Sequence, residues 1–175
     1  MKQNFKTEAV FINKKTLLNK NILLTLFTKD LGKIKVFAFG VKKITSRRIS
    51  YFQTGNFLKI IIEKKDDYFY LKEVSLISGF LSIKDNEKKW SVFYFYLYIL
   101  EKILPENIKD EKNYKLTLNF LVNLSKKQFN LESLNFYLNY LLKNLGYLNQ
   151  QKQSFKKNIT TIEDIINEKL PRFKL

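Results

Sequence analysis

Near residue 80 the hydrophobic period of the chain changes from two to about 3.6 residues, so strands precede the boundary and helices follow it. Before it, apolar residues alternate in five runs, about 5–13, 20–29, 33–41, 55–64 and 68–78. Lys29-Asp30-Leu31-Gly32 separates the second run from the third, and Lys64-Lys65-Asp66-Asp67 the fourth from the fifth, both turn-forming in composition. Five strands in such a span predict a small closed or partly closed barrel, with the OB-fold the natural candidate and an SH3-like barrel the runner-up. After the boundary, Ser82-Ile83-Lys84-Asp85 reads as a capping box opening a helix through Trp90 to about Leu104, where Pro105 ends it. A second helix is expected over 109–127. A third starts at the N-cap Asn130, carries Leu134, Leu138, Leu141 and Leu145 on one stripe and stops at Gly146. A polar loop over 149–158 leads to a last helix after Thr160, whose spacing to Glu163 again fits a capping box. The class is therefore α+β: an N-terminal five-stranded OB-fold barrel, residues 1–79, as a nucleic-acid-binding domain, followed by an α-helical bundle domain, residues 80–175.

The third run carries the clearest functional signal. On an extended strand Ile34, Val36 and Ala38 share one face while Lys33, Lys35, Phe37 and Phe39 share the other. Gly40 ends the alternation, and Lys42, Lys43, Arg47 and Arg48 follow with no acidic residue among them. Cations interleaved with rings suit a phosphate backbone and stacked bases. The formal net charge is +16, and only Arg47, Arg48 and Arg172 of the 32 basic residues are arginine, so part of the charge is a lysine-rich background. It is nevertheless uneven. Residues 1–80 hold sixteen basic and six acidic side chains, and 81–175 hold sixteen and ten, which makes the barrel half the better polyanion surface.

Cysteine and histidine are both absent, which excludes disulfides, zinc-thiolate sites, Cys nucleophiles and His general bases within these residues. No Gly-rich phosphate-binding fingerprint occurs among the five glycines. The densest acidic pair, Asp66-Asp67, reads as a solvated hairpin turn, not a catalytic or metal site. No enzyme activity, cofactor or metal is expected. The first residues show no apolar core of a secretory signal. The longest wholly apolar run, Val92 to Leu100, is nine residues, short of the roughly 20 that span a bilayer. A cytoplasmic protein with no membrane partner is expected. The aromatic segment from Trp90 to Leu100 is apolar all round, as at the centre of a helical bundle.

The order of these pieces resembles the bacterial RecO recombination mediators. The family's strand of the type G-x-x-x-x-x-A-x-G is matched by Gly32, Ala38 and Gly40, its basic loop by Lys42, Lys43 and Arg47, and its L-G-Y helix end by Leu145-Gly146-Tyr147. The likeness spans about Phe5 to Leu148. Two departures stand out: Phe39 occupies the place of the family's usual basic residue before the loop glycine, and Leu148-Asn149-Gln150-Gln151 follows where many members carry a four-cysteine zinc site. A short form lacking that site is implied, with a reduced C-terminal helical portion.

The resemblance implies a non-enzymatic role in DNA repair and recombination: binding single- and double-stranded DNA, annealing complementary strands, and helping RecA load onto single-stranded DNA together with RecR. It also implies docking of the acidic C-terminal tail of single-stranded-DNA-binding protein, which needs an apolar pocket rimmed by cations. Lys88, Lys89 and Lys102 flank the aromatic helix, and Lys112, Lys115, Lys126 and Lys127 lie on its neighbour. Two other readings fit the composition: an OB-type RNA-binding module, which the 2′-hydroxyl would distinguish, and a helical adaptor for acidic peptides.

Overall fold

In the computed structural model the described residues are 2–18, 21–39, 50–126, 129–149 and 152–172. Five strands come first: β1 (Lys2–Thr16), β2 (Ile22–Thr28), β3 (Gly32–Ala38), β4 (Phe57–Lys65) and β5 (Tyr68–Ser78). They close into a barrel in the order β1-β2-β3-β5-β4, with β4 returning to β1. All pairings are antiparallel except β3 with β5, which run parallel through Val36↔Phe69 and Phe37↔Tyr70. The expected OB-type barrel is borne out. β1 is longer than its hydrophobic pattern suggests because it pairs with two partners, and its register against β2 slips between Phe11 and Asn13, a bulge of the kind that lets one strand curl around a barrel.

Alternation explains the interior. Ile34, Val36 and Ala38 of β3, Leu24 and Leu26 of β2 and Leu58, Ile60 and Ile62 of β4 are all essentially buried, each two residues from the next on its strand. The turns follow the expected residues. Leu31 N–H donates to Thr28 Oγ1 at 3.1 Å and Thr7 Oγ1 donates to the Asp30 carboxylate at 2.6 Å. Asp66, at φ 55, turns β4 into β5.

A segment from much later in the chain belongs to the barrel. The first compact unit comprises Met1–Gly79 and Leu104–Glu111, the second Phe80–Ile103 and Lys112–Leu175. Before Val36, β3 has no β5 partner, and here the Asn107 N–H donates to the Lys33 carbonyl at 2.8 Å, beside a parallel bridge between Lys33 and Glu106. Gly32 sits directly beneath, at φ 73, where an added Cβ would fall 1.8 Å from the Ile108 carbonyl oxygen. Both the conformation and the clearance require glycine at this position.

The second unit is helical: α1 (Leu81–Lys84), α2 (Glu87–Ile103), α3 (Glu111–Lys126), α4 (Leu131–Asn144) and α5 (Phe155–Ile166). Two expected starts are corrected. α2 is capped by Asn86, whose Oδ1 accepts from the Lys89 N–H at 3.0 Å, while Ser82 Oγ donates instead to the Ser125 carbonyl. α5 begins well before Thr160, with Ser154 as its N-cap; Thr160 lies inside it and bonds back to the Lys156 carbonyl. The expected cap Asn130 accepts from the Ser133 N–H at 2.9 Å. At the other end of α4, Gly146 at φ 82 donates to Lys143, and Tyr147 donates to Leu142, the paired bonds of a Schellman ending. α2 buries most of its apolar side chains, among them Phe93, Phe95 and Tyr96, but not all round as expected, since Tyr94 is 51% exposed; Tyr96 stacks on Phe120 of α3 with centroids 4.0 Å apart.

Candidate nucleic-acid interface

The outward side of β3 and β5 carries a cluster of rings. Because Val36, Ala38, Phe69 and Leu71 point inward, Phe37, Phe39, Tyr68 and Tyr70 must point outward, and the parallel register brings the two pairs together. Phe37, Phe39 and Tyr70 have centroids 5.7–6.3 Å apart and planes within 27° of one another. Tyr68 stands edge-on to Phe37 at 5.7 Å. Phe39 and Tyr68 are 52% and 56% exposed, a large apolar area left in water on a strand pair whose core face is already filled.

The cations expected with these rings divide into three cases. Lys35 lies beside Phe37 on the outer face and is half exposed, but its Nζ sits 2.7 Å from Glu106 Oε1. Lys33, expected on the same face, is 6% exposed, with Glu106 and Asn107 running alongside its backbone and Phe27 opposite it. Covering by residues 104–111 removes it from the accessible surface, which corrects its expected place at the interface. Lys42, Lys43, Arg47 and Arg48 lie outside the described residues. Tyr68 and Tyr70 were not foreseen, nor was Lys65, which is exposed and pairs with Tyr68 across β4 and β5.

In the helical unit, Lys88 and Lys89 line an open cleft of about 640 Å³ together with Asn86, Val92, Leu124, Phe129, Asn130 and Leu131. Much of the lining is apolar, Lys88 is exposed, and Lys89 Nζ donates to the Ser125 carbonyl at 3.4 Å. Lys102 is engaged elsewhere: its Nζ bonds Glu168 at 2.9 Å and lies over the Tyr98 ring, and Tyr98 also donates to Glu168. Those bonds from Tyr98 and Lys102 hold the Glu168 carboxyl below its ordinary range and, reciprocally, raise Lys102. Lys112, Lys115 and Lys126 are exposed on α3 but do not line the cleft, and Lys127 is outside the described residues. Among the described residues no group of three or more acidic side chains gathers as a metal site, and no helix is long and apolar enough to cross a membrane.

Residues 1–80, the continuous part of the barrel unit, match the family model described as Recombination protein O N terminal. The barrel is a RecO N-terminal domain. Over a longer stretch, the chain is 27% identical over 143 residues to the DNA repair protein RecO of Caldanaerobacter subterraneus subsp. tengcongensis, covering 82% of this chain and 57% of the relative. It is 29% identical over 148 residues to the DNA repair protein RecO of a Thermoanaerobacter species, covering 83% and 59%. A Rickettsia canadensis DNA repair protein RecO is 27% identical over 147 residues, covering 82% and 59%. The resemblance to bacterial RecO is thus borne out and extends from the RecO N-terminal domain into the helical unit. The chain spans somewhat under three fifths of the length of these relatives.

Proposed function

We propose that this chain acts in DNA repair and recombination as a mediator without catalytic chemistry: it binds single- and double-stranded DNA through the barrel, anneals complementary strands, and assists RecA loading together with RecR. The observation that carries the reading is the RecO N-terminal domain itself, a closed OB-type barrel with an excess of basic residues. Annealing brings two polyanions together, and a surface that neutralises both backbones lowers that repulsion without an energy source. The work is cytoplasmic, where the DNA is. An annealing assay with complementary oligonucleotides and no nucleotide cofactor tests it; strands that pair no faster with the protein than without it would overturn the reading.

The cleft beside Lys88 and Lys89 supports the accompanying docking role. An acidic tail ending in an apolar side chain would place that side chain against Val92, Leu124 and Phe129 and its carboxylates near the two ammonium groups. Titrating the full chain with such a tail peptide should give saturable, salt-sensitive binding that Lys88→Glu with Lys89→Glu abolishes. Undiminished binding by that double variant would move the docking site elsewhere.

A further inference from the structure

We infer that Phe37, Phe39, Tyr68 and Tyr70 form a stacking platform for the unpaired bases of a single nucleic-acid strand. The inference rests on the DNA-binding reading above and narrows it to a substrate form and a set of residues. Four rings on the outer face contribute nothing to the barrel core, which closes from the opposite face of the same strands. Three of them are nearly parallel, with Tyr68 edge-on to Phe37, and flat π faces accept any base. The patch lies between Lys35, two residues from Phe37 along β3, and Lys65, opposite Tyr68 across β4. Lysines on both flanks of an aromatic strip match a strand whose phosphates run at the edges while its bases lie on the rings; Glu106 is the present counter-charge of Lys35, and Glu63, opposite Tyr70, is paired with Lys72. Bases in a duplex are already stacked and paired, so this site selects single strands.

The test compares the full chain's affinity for labelled oligothymidine, for an abasic strand of equal length and charge, and for a matched duplex over a range of salt. The natural chain should hold oligothymidine at least tenfold more tightly than the abasic strand. Phe39→Leu with Tyr70→Leu, which keeps apolar bulk, should erase that preference while leaving the slope of log K against log salt unchanged. Tyr68→Leu, the most exposed of the four, should reduce the preference without lowering the melting temperature and serves if the double variant fails to fold. Equal binding of base-bearing and abasic strands by the natural chain overturns the platform while leaving the DNA-binding reading intact. Equal binding together with a dimer that dissociates in the double variant would assign the rings to contacts between copies of the chain instead. No binding of any strand at low salt overturns both.

Discussion

Glu106 pairs with Lys35 at the place where the proposed strand would set a phosphate. The pair is half exposed on both sides, at 2.7 Å, and exposed ion pairs contribute only about 0.2–1 kcal/mol, so an incoming backbone can displace the carboxylate at modest cost. Glu106→Gln is expected to tighten single-strand binding a few-fold and to steepen the salt dependence by about 0.7, one phosphate's worth, read by anisotropy over a salt series. An unchanged slope would mean that Lys35 never meets a phosphate. Gly32 is the opposite kind of residue, fixed by shape. Gly32→Ala puts a Cβ against the Ile108 carbonyl at a positive φ and should cost more than about 1 kcal/mol, seen as a lower melting temperature. The inward residues of β3 were readable from alternation alone. Burial of Lys33 was not, because its cover comes from residues more than seventy positions later, and the tyrosines of β5 were read as strand residues with no hint of their neighbours, since a parallel pairing leaves no turn between its partners.

At the scale of elements, local chemistry set the strands and the interior of each helix, while helix starts depended on which of several polar residues reached the free N–H groups. Both Ser82 and Asn86 are plausible caps by composition, and only Asn86 bonds to the start of α2. Asn86→Ala should therefore destabilise the protein by about 0.5–2 kcal/mol, while Ser82→Ala costs less; chemical denaturation of the two variants checks the order. The same contrast holds between Ser154 and Thr160. The capping-box pattern fits Thr160 by spacing, yet Ser154 comes first and its side chain accepts from the Lys157 N–H, so the turn that begins there makes Thr160 interior. The Leu145-Gly146-Tyr147 ending was legible because a Schellman motif is specified by a single glycine at the right place.

Across the whole molecule, stability and charge act on different parts. The Tyr96 hydroxyl is fully enclosed with no hydrogen bond of normal geometry among the described residues, the Thr117 hydroxyl being its nearest polar company, and burial pushes its phenol well above the ordinary value near 10. Folding thus favours the protonated phenol, so this contribution is intact below pH 10 and is lost as pH rises beyond it. Tyr96→Phe should leave neutral stability unchanged or raise it by about 1 kcal/mol and should soften the alkaline loss; a melting series from pH 7 to 11 reads both. The larger excess of positive charge lies in residues 1–80. Replacing Lys42, Lys43, Arg47 and Arg48 by Ala should flatten the salt dependence of DNA binding much more than four lysine replacements on α3, and equal effects would mark the charge as diffuse. The chain passes between its two compact units three times, because Leu104–Glu111 comes back to β3. During synthesis the ribosome therefore finishes β5 long before it makes the piece that covers the open stretch of β3. The nascent barrel waits with a bare strand edge, a surface to which other chains can pair, and cutting after Gly79 would make that passing vulnerability permanent.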